Sequence, residues 1–447
     1  MNKQPDGRRG SSLDTPLRFL GRAARAVLGP ARAVRGTARR FADPARQVVD
    51  YWGSERATVK QAGVAVVISA LTSLLAGLTL AFMEGRLGEV RGLFVLIPVS
   101  IGMRGNIFGA LAARLGTSIH TGLFEVSSDR QGSLFQNVYS ATLLTVSTSV
   151  TMGVLARSIA GLLGIDTVST WDFISVALVG GLLSSAFVLA FTIYLSIVSY
   201  RKGWDLDSVG AVLITTVGDV VTLPCLLIAS YLAGIDVVTP AIGMISVAAA
   251  VASLIFGWRS SLPVVRRVIK ESFPILCVAI VLDILAGTVV EPRFEDVFGP
   301  FPAFLMIIPG FLENTGALGS ILSARLGSKL HLGAVTPTTK PDAAALLDGT
   351  IVFVLGILVY SITAVTTLIA AQLIGAEYPG AFRFVGVVMV GGLLATVVAG
   401  AIGYYAAIAT YRLGLDPDNH TIPLVSSGMD LLGVICLVVA LVIFGVA

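Results

Sequence analysis

The chain is 447 residues long, 55% hydrophobic and 13% charged, with a net charge of +4 and a mean hydropathy of +0.87. That much apolar surface exceeds what a soluble core of this size can hide, which excludes a water-soluble domain and places the chain in a lipid bilayer. Its three cysteines, Cys225, Cys277 and Cys436, lie in apolar runs and supply neither a disulfide framework nor a zinc motif.

Residues 1–59 carry twelve Lys/Arg against five acids. The stretch "PLRFLGRAARAVLGPARAVRGTARRF" reads as a cytoplasmic basic tail that holds the first span to anionic lipid. A transit peptide is the competing reading, and Asp6, Asp14 and Asp43 count against it.

Crossing a hydrocarbon core of about 30 Å takes roughly 20 apolar residues. Eleven such segments are predicted, near 62–83, 93–115, 137–163, 172–199, 208–234, 238–257, 271–290, 301–325, 346–374, 381–410 and 421–446. The basic stretches "YRKG", "WRSSLPVVRRVIK" and "ARLGSKL" fall at alternate loops, whereas "GIDTVSTWD" and "AGIDVVTP" contain no Lys or Arg. The basic side is therefore read as cytoplasmic, with the N-terminus inside, the C-terminus outside, and the plasma membrane as the expected location.

An internal repeat organises these segments. "SYRKGWDLDSV" at 199–209 returns as "TYRLGLDPDN" at 410–419, and seven of 21 positions between 199–219 and 410–430 are identical at an offset of 211. The same offset pairs Pro98 with Pro309, Gly105 with Gly316, Arg114 with Arg325, His120 with His331, and "GGLL" at 180–183 with "GGLL" at 391–394. The expected fold is an all-α polytopic membrane protein. It comprises the N-terminal segment 1–59, a five-helix repeat over 60–234, a linker helix and basic loop over 235–265, and a second five-helix repeat over 266–447. Five spans alone would invert the second copy. The linker helix restores its direction, so the repeats are parallel and related by a pseudo-two-fold axis along the membrane normal, as in a fused homodimer.

Within this frame the fifth span of each repeat carries an acid near the bilayer midplane, Asp219 and Asp430, flanked by Thr215 and Thr216 or by Ser426 and Ser427. A lone carboxylate there costs at least ~2.5 kcal/mol, so it must be neutral and hydrogen-bonded, paired, or holding a cation. Two converging carboxylates suit a hard divalent ion such as magnesium, which keeps most of its water and needs few direct ligands.

The second span of each repeat adds polar backbone. Pro98 and Pro309 are expected to break its helical ladder, and Gly105 and Gly316 to allow close approach. Asn106 follows Gly105, whereas Ala317 follows Gly316 and Glu313 and Asn314 stand one turn earlier. Glu313 shares a helix face with position 317 and is read either as a replacement oxygen ligand or as the partner of a buried base such as Arg104. Asp205, Asp207, Asp416 and Asp418 precede the fifth spans, where Asp207 and Asp418 read as helix caps and the whole set, alternatively, as an ion access site.

"IPVSIGMRGN", "ARLGT", "TTVGDVVTL" and, in the second half, "GLDPDN" and "IPLVSSGMDLLG" resemble the MgtE-type magnesium transporter domain in the duplicated form of the solute carrier 41 family. The resemblance spans 60–446. It implies five-helix pore domains about a two-fold axis, with hydrated magnesium as the transported ion between Asp219 and Asp430, and Asn106, Gly105 and Gly316 at matching positions. Ala317 departs from the asparagine of that pattern, and no counterpart of the large cytoplasmic domains of bacterial members is expected. The partners implied are divalent cations and the lipid bilayer, with no nucleic acid and no organic cofactor, and internal duplication points to a functional monomer. Two alternatives remain at this stage. One is a sodium- or proton-coupled divalent-cation exchanger using Asp283 and Glu313. The other is an intramembrane aspartyl protease, although the Tyr-Asp and Gly-x-Gly-Asp pattern of that class is missing around Asp219 and Asp430.

Overall fold

The computed structural model describes residues 47–127, 129–202, 206–413 and 422–447. The chain divides into two units, Met1–Val59 and Lys60–Ala447, and in the first of these residues 47–54 are helical. The long helices are α1 (Arg56–Phe82), α2 (Leu96–His120), α3 (Ser133–Leu162), α4 (Thr170–Lys202), α5 (Leu206–Ser230), α6 (Val238–Trp258), α7 (Pro263–Val290), α8 (Ala303–His331), α9 (Ala343–Ile374), α10 (Ala381–Leu413) and α11 (Ile422–Ile443). Each contains a stretch long and apolar enough to span a membrane, eleven spans in all among the described residues. Large apolar side chains such as Leu71, Leu75, Ile245, Phe256 and Val397 point outward, which is tolerable only where lipid replaces water.

Three expectations are corrected. The stretch "WRSSLPVVRRVIK" is mostly helix, because α7 begins at Pro263. Proline at the first helical position gives up an N–H that has no intrahelical partner. Val265, Val268 and Ile269 are then buried while Arg266, Arg267 and Lys270 stay exposed. Likewise "ARLGSKL" belongs to α8, where Arg325 Nη2 and Lys329 Nζ both reach the fully buried Asp348 at 2.7 Å; their charges are answered within the bundle. Finally, neither proline breaks its helix. Pro98 lies in the first turn of α2, where no backbone bond is lost, and α8 continues through Pro309.

Packing repeats along with sequence. In the first half α5 lies against α2 and α4, and in the second α11 lies against α8 and α10. A Cβ on Gly180 would meet Leu226 Cα at 3.3 Å, and one on Gly391 would meet Leu437 Cα at 3.3 Å, the same contact 211 residues later. Arg114 Nε donates to Asn137 Oδ1 at 2.9 Å and Arg325 Nε to Asp348 Oδ1 at 3.0 Å, again at that offset.

The first helix of each repeat crosses to the other half. α7 packs on α2 and α3, with Gly287 so close that a Cβ would lie 2.8 Å from the Val95 carbonyl oxygen. Reciprocally, Gly63 of α1 faces Leu355 of α9, and a Cβ on Gly77 would overlap the Met306 carbonyl of α8. Paired contacts of this kind are what a two-fold relation requires. Exchanging α1 and α7 also interlocks the halves, since neither α2 nor α8 is covered by its own repeat alone.

Two measurements check this packing. Gly77→Val should lower stability by about 1–3 kcal/mol or more, because the obstruction is backbone. Gly400→Ala, where a Cβ meets nothing within 4 Å, should be neutral or slightly stabilising in the same detergent melts. Asp348→Ala leaves Arg325 and Lys329 facing an apolar gap and should cost about 3 kcal/mol; an unchanged melting temperature would refute the role assigned to that carboxylate.

Candidate functional site

Asp219 and Asp430 are brought to equivalent, enclosed places by α5 and α11, at 5% and 6% exposure. Small residues make the approach possible. A Cβ on Gly105 of α2 would sit 3.6 Å from Thr215 Cγ2, and one on Gly316 of α8 would sit 3.0 Å from Ser426 Oγ. Gly105, Thr215, Gly316 and Ser426 thus form two matching seams that seat α5 on α2 and α11 on α8. One residue further, Thr216 and Ser427 are buried; among the described residues neither hydroxyl makes a hydrogen bond of normal distance and angle, and Ser427 stands against Asp283.

Glu313 joins the two halves. From α8 of the second repeat it stands beside Asp219 of the first, next to Ser69 and Ser73 of α1, with Oε2 unsatisfied. Asp430 is in turn close to both Glu313 and Asp283. Glu313 is not the partner of Arg104, whose guanidinium donates to the Gly181 carbonyl at 2.9 Å and to the Ser185 hydroxyl. Among the described residues no Lys or Arg forms an ion pair with Asp219, Asp283, Glu313 or Asp430. Four enclosed acids without a base cannot all carry charge unless a cation comes among them. Also among the described residues, no three of His, Cys, Asp and Glu converge tightly enough to ligate a bare metal ion.

Asn106 lies one turn along α2 from Gly102, on the same face. It lines a small cavity with Arg114, Ser272 of α7 and Pro423 of α11, and its Nδ2 is buried without a partner. Its counterpart position is Ala317, so this polar lining exists on one side only. Asn314 is engaged elsewhere: its Oδ1 accepts from Ser69 at 3.4 Å and its Nδ2 donates to Thr363 of α9 at 3.4 Å. Asp205, Asp416 and Asp418 lie outside the described residues, as does the side chain of Asp207.

Sequence reading passed over Ser73 and gave Asp283 no place beside Asp430. A signal existed: "SLLAG" at 73–77 and "DILAG" at 283–287 match at an offset of 210, not 211. A one-residue difference in length between this glycine and the second span hid the equivalence.

The profile of MgtE, a divalent cation transporter family, matches residues 97–229 and again 308–440. The two matches are offset by the same 211 residues. Solute carrier family 41 member 3 of Rattus norvegicus is 24% identical over 405 residues, covering 84% of this chain and 85% of that protein. The Mus musculus protein of the same name is 26% identical over 377 residues, covering 77% and 74%. Solute carrier family 41 member 2 of Xenopus laevis is 22% identical over 377 residues, covering 78% and 64%. With both halves matched and the paired intramembrane aspartates falling inside the matches, the chain belongs to the MgtE family of divalent cation transporters.

Proposed function

We propose that this membrane protein carries magnesium, as a partly hydrated ion, along the interface between its two repeats, with Asp219 and Asp430 as the acids that hold it. The observation that carries the reading is the pair itself: two enclosed carboxylates on equivalent helices, with Glu313 beside Asp219 and, among the described residues, no basic residue paired to any of them. Oxygen ligands suit hard cations, and magnesium, which keeps much of its water, needs few direct protein ligands. Thr216, Ser427 and Asn106, each with an unsatisfied polar atom, supply bonds to that water, while Gly105, Gly316, Thr215 and Ser426 set the spacing.

The organisation that goes with this reading is a basic segment over 1–59, repeats over 60–234 and 266–447, and a linker between them, working as a monomer. The orientation is N-terminus inside and C-terminus outside at the plasma membrane. It is supported by the exposed Arg266, Arg267 and Lys270 at the start of α7 and by Arg201 and Lys202 at the end of α4.

Magnesium uptake into proteoliposomes holding the full chain tests the reading. Asp219→Asn and Asp430→Asn should each slow uptake at least about tenfold, equivalent to ~1.4 kcal/mol, with melting temperatures in magnesium-free detergent unchanged or higher. Wild-type uptake in either variant would remove that aspartate from the ion path. Uptake absent from the wild type would overturn the reading as a whole.

A further inference from the structure

The register change in the first helices gives the site a second, less visible symmetry. With Gly77 against Met306 and Gly287 against Val95, Ser73 of α1 and Asp283 of α7 occupy equivalent positions, four residues before each glycine. On the helices they face, Gly102 of α2 and Glu313 of α8 are equivalent at the 211 offset. Each crossing therefore joins one acid to one small residue, but the acid sits on opposite helices. In the α1–α8 crossing, Glu313 lies beside Ser73. In the α7–α2 crossing, Asp283 fills the space that a side chain on Gly102 would need: a Cβ there would be 2.6 Å from Asp283 Oδ2 and 3.6 Å from Asp430 Oδ2.

Asp283 is fully buried, and neither of its oxygens accepts a hydrogen bond of normal distance and angle. Its neighbours are the Ser427 hydroxyl and the Asp430 carboxyl, both within looser hydrogen-bonding reach, but Ser427 makes no bond of normal distance and angle among the described residues. Burying a carboxylate this way is costly unless something positive or protic completes it. We propose that Asp283 is a cation-binding residue for the same divalent ion, the counterpart on the Asp430 side of Glu313 on the Asp219 side. The acidic set then obeys the two-fold axis in space although it violates it in sequence. Gly102 is glycine because Asp283 already stands where its side chain would go, and one acid per crossing is all the space admits.

This inference rests on the magnesium reading, and the test separates the two. Asp283→Ser copies the Ser73 side of the other crossing; adding Gly102→Glu copies Glu313, so the double variant moves the acid from α7 to α2 without changing the site's charge. Magnesium-induced stabilisation of the full chain in detergent and magnesium uptake in proteoliposomes are measured together. Without magnesium, Asp283→Ser and Asp283→Asn should melt at or above the wild-type temperature, since an unpaired buried acid is gone. Both should need about tenfold more magnesium for the same stabilisation. Gly102→Glu with Asp283→Ser should return the magnesium response to within about threefold of wild type. A merely structural Asp283 would instead lower the magnesium-free melting temperature and would not be rescued by an acid on the facing helix; that pattern overturns the inference. Single variants that respond to magnesium as the wild type does overturn it too, and leave the Asp219–Asp430 reading standing. A wild type that neither responds to magnesium nor transports it overturns both.

Discussion

A carboxylate enclosed within the membrane-spanning part of a protein must be completed by something, and among the described residues no basic side chain completes the acids of this site. Asp219, Asp430, Glu313 and Asp283 gather where α5, α11, α8 and α7 meet, and among the described residues no lysine or arginine pairs with them. Water is scarce there and like charges repel strongly at low dielectric. The helix arrangement is best understood as a frame that keeps these four acids together in spite of that cost.

The frame works because small residues let helices approach and because the repeats exchange their first helices. Gly105 and Gly316 admit α5 and α11, Gly180 and Gly391 let α4 and α10 press against them, and Gly77 and Gly287 lock α1 and α7 onto the opposite half. In a bilayer, where apolar side chains gain little by leaving lipid for each other, such close backbone contact is a principal source of helix association. Exchange of α1 brings Ser69 and Ser73 of the first repeat to Glu313 of the second, which also stands beside Asp219.

Duplication has not kept the halves identical. Asn137 receives Arg114 where Asp348 receives Arg325 and Lys329, so the second half answers an extra lysine with an extra charge. Arg104 is buried only in the first half, bonded to a carbonyl and a hydroxyl, and its counterpart Thr315 turns its hydroxyl to its own helix at Leu312. These differences fall where each half can balance them locally. At the axis itself, the loss of an acid from one helix is matched by its gain on the helix opposite.

Much of this was legible beforehand because membrane insertion writes itself into local sequence. Apolar length fixes the spans, most of which began and ended within a few residues of expectation; α1 begins earlier, at Arg56, α2 runs on to His120, and basic residues extended the start of α7 and the end of α8. The two misjudged stretches, "WRSSLPVVRRVIK" and "ARLGSKL", looked like loops because charge at a helix end and charge in a loop have the same composition; only Asp348 on a distant helix, or the exposed face of the first turns of α7, tells them apart. Proline misled in the same way, since its effect depends on whether the lost N–H had a partner. The repeat, and with it the pairing of Asp219 with Asp430, was determined by sequence alone, because identity at a fixed offset needs no coordinates. Which acids meet was decided only by tertiary structure. Asp283 faces Gly102, and Glu313 faces Ser73, through contacts between helices some 180 to 240 residues apart in the chain, set by the fit of glycine against backbone, which no local pattern records.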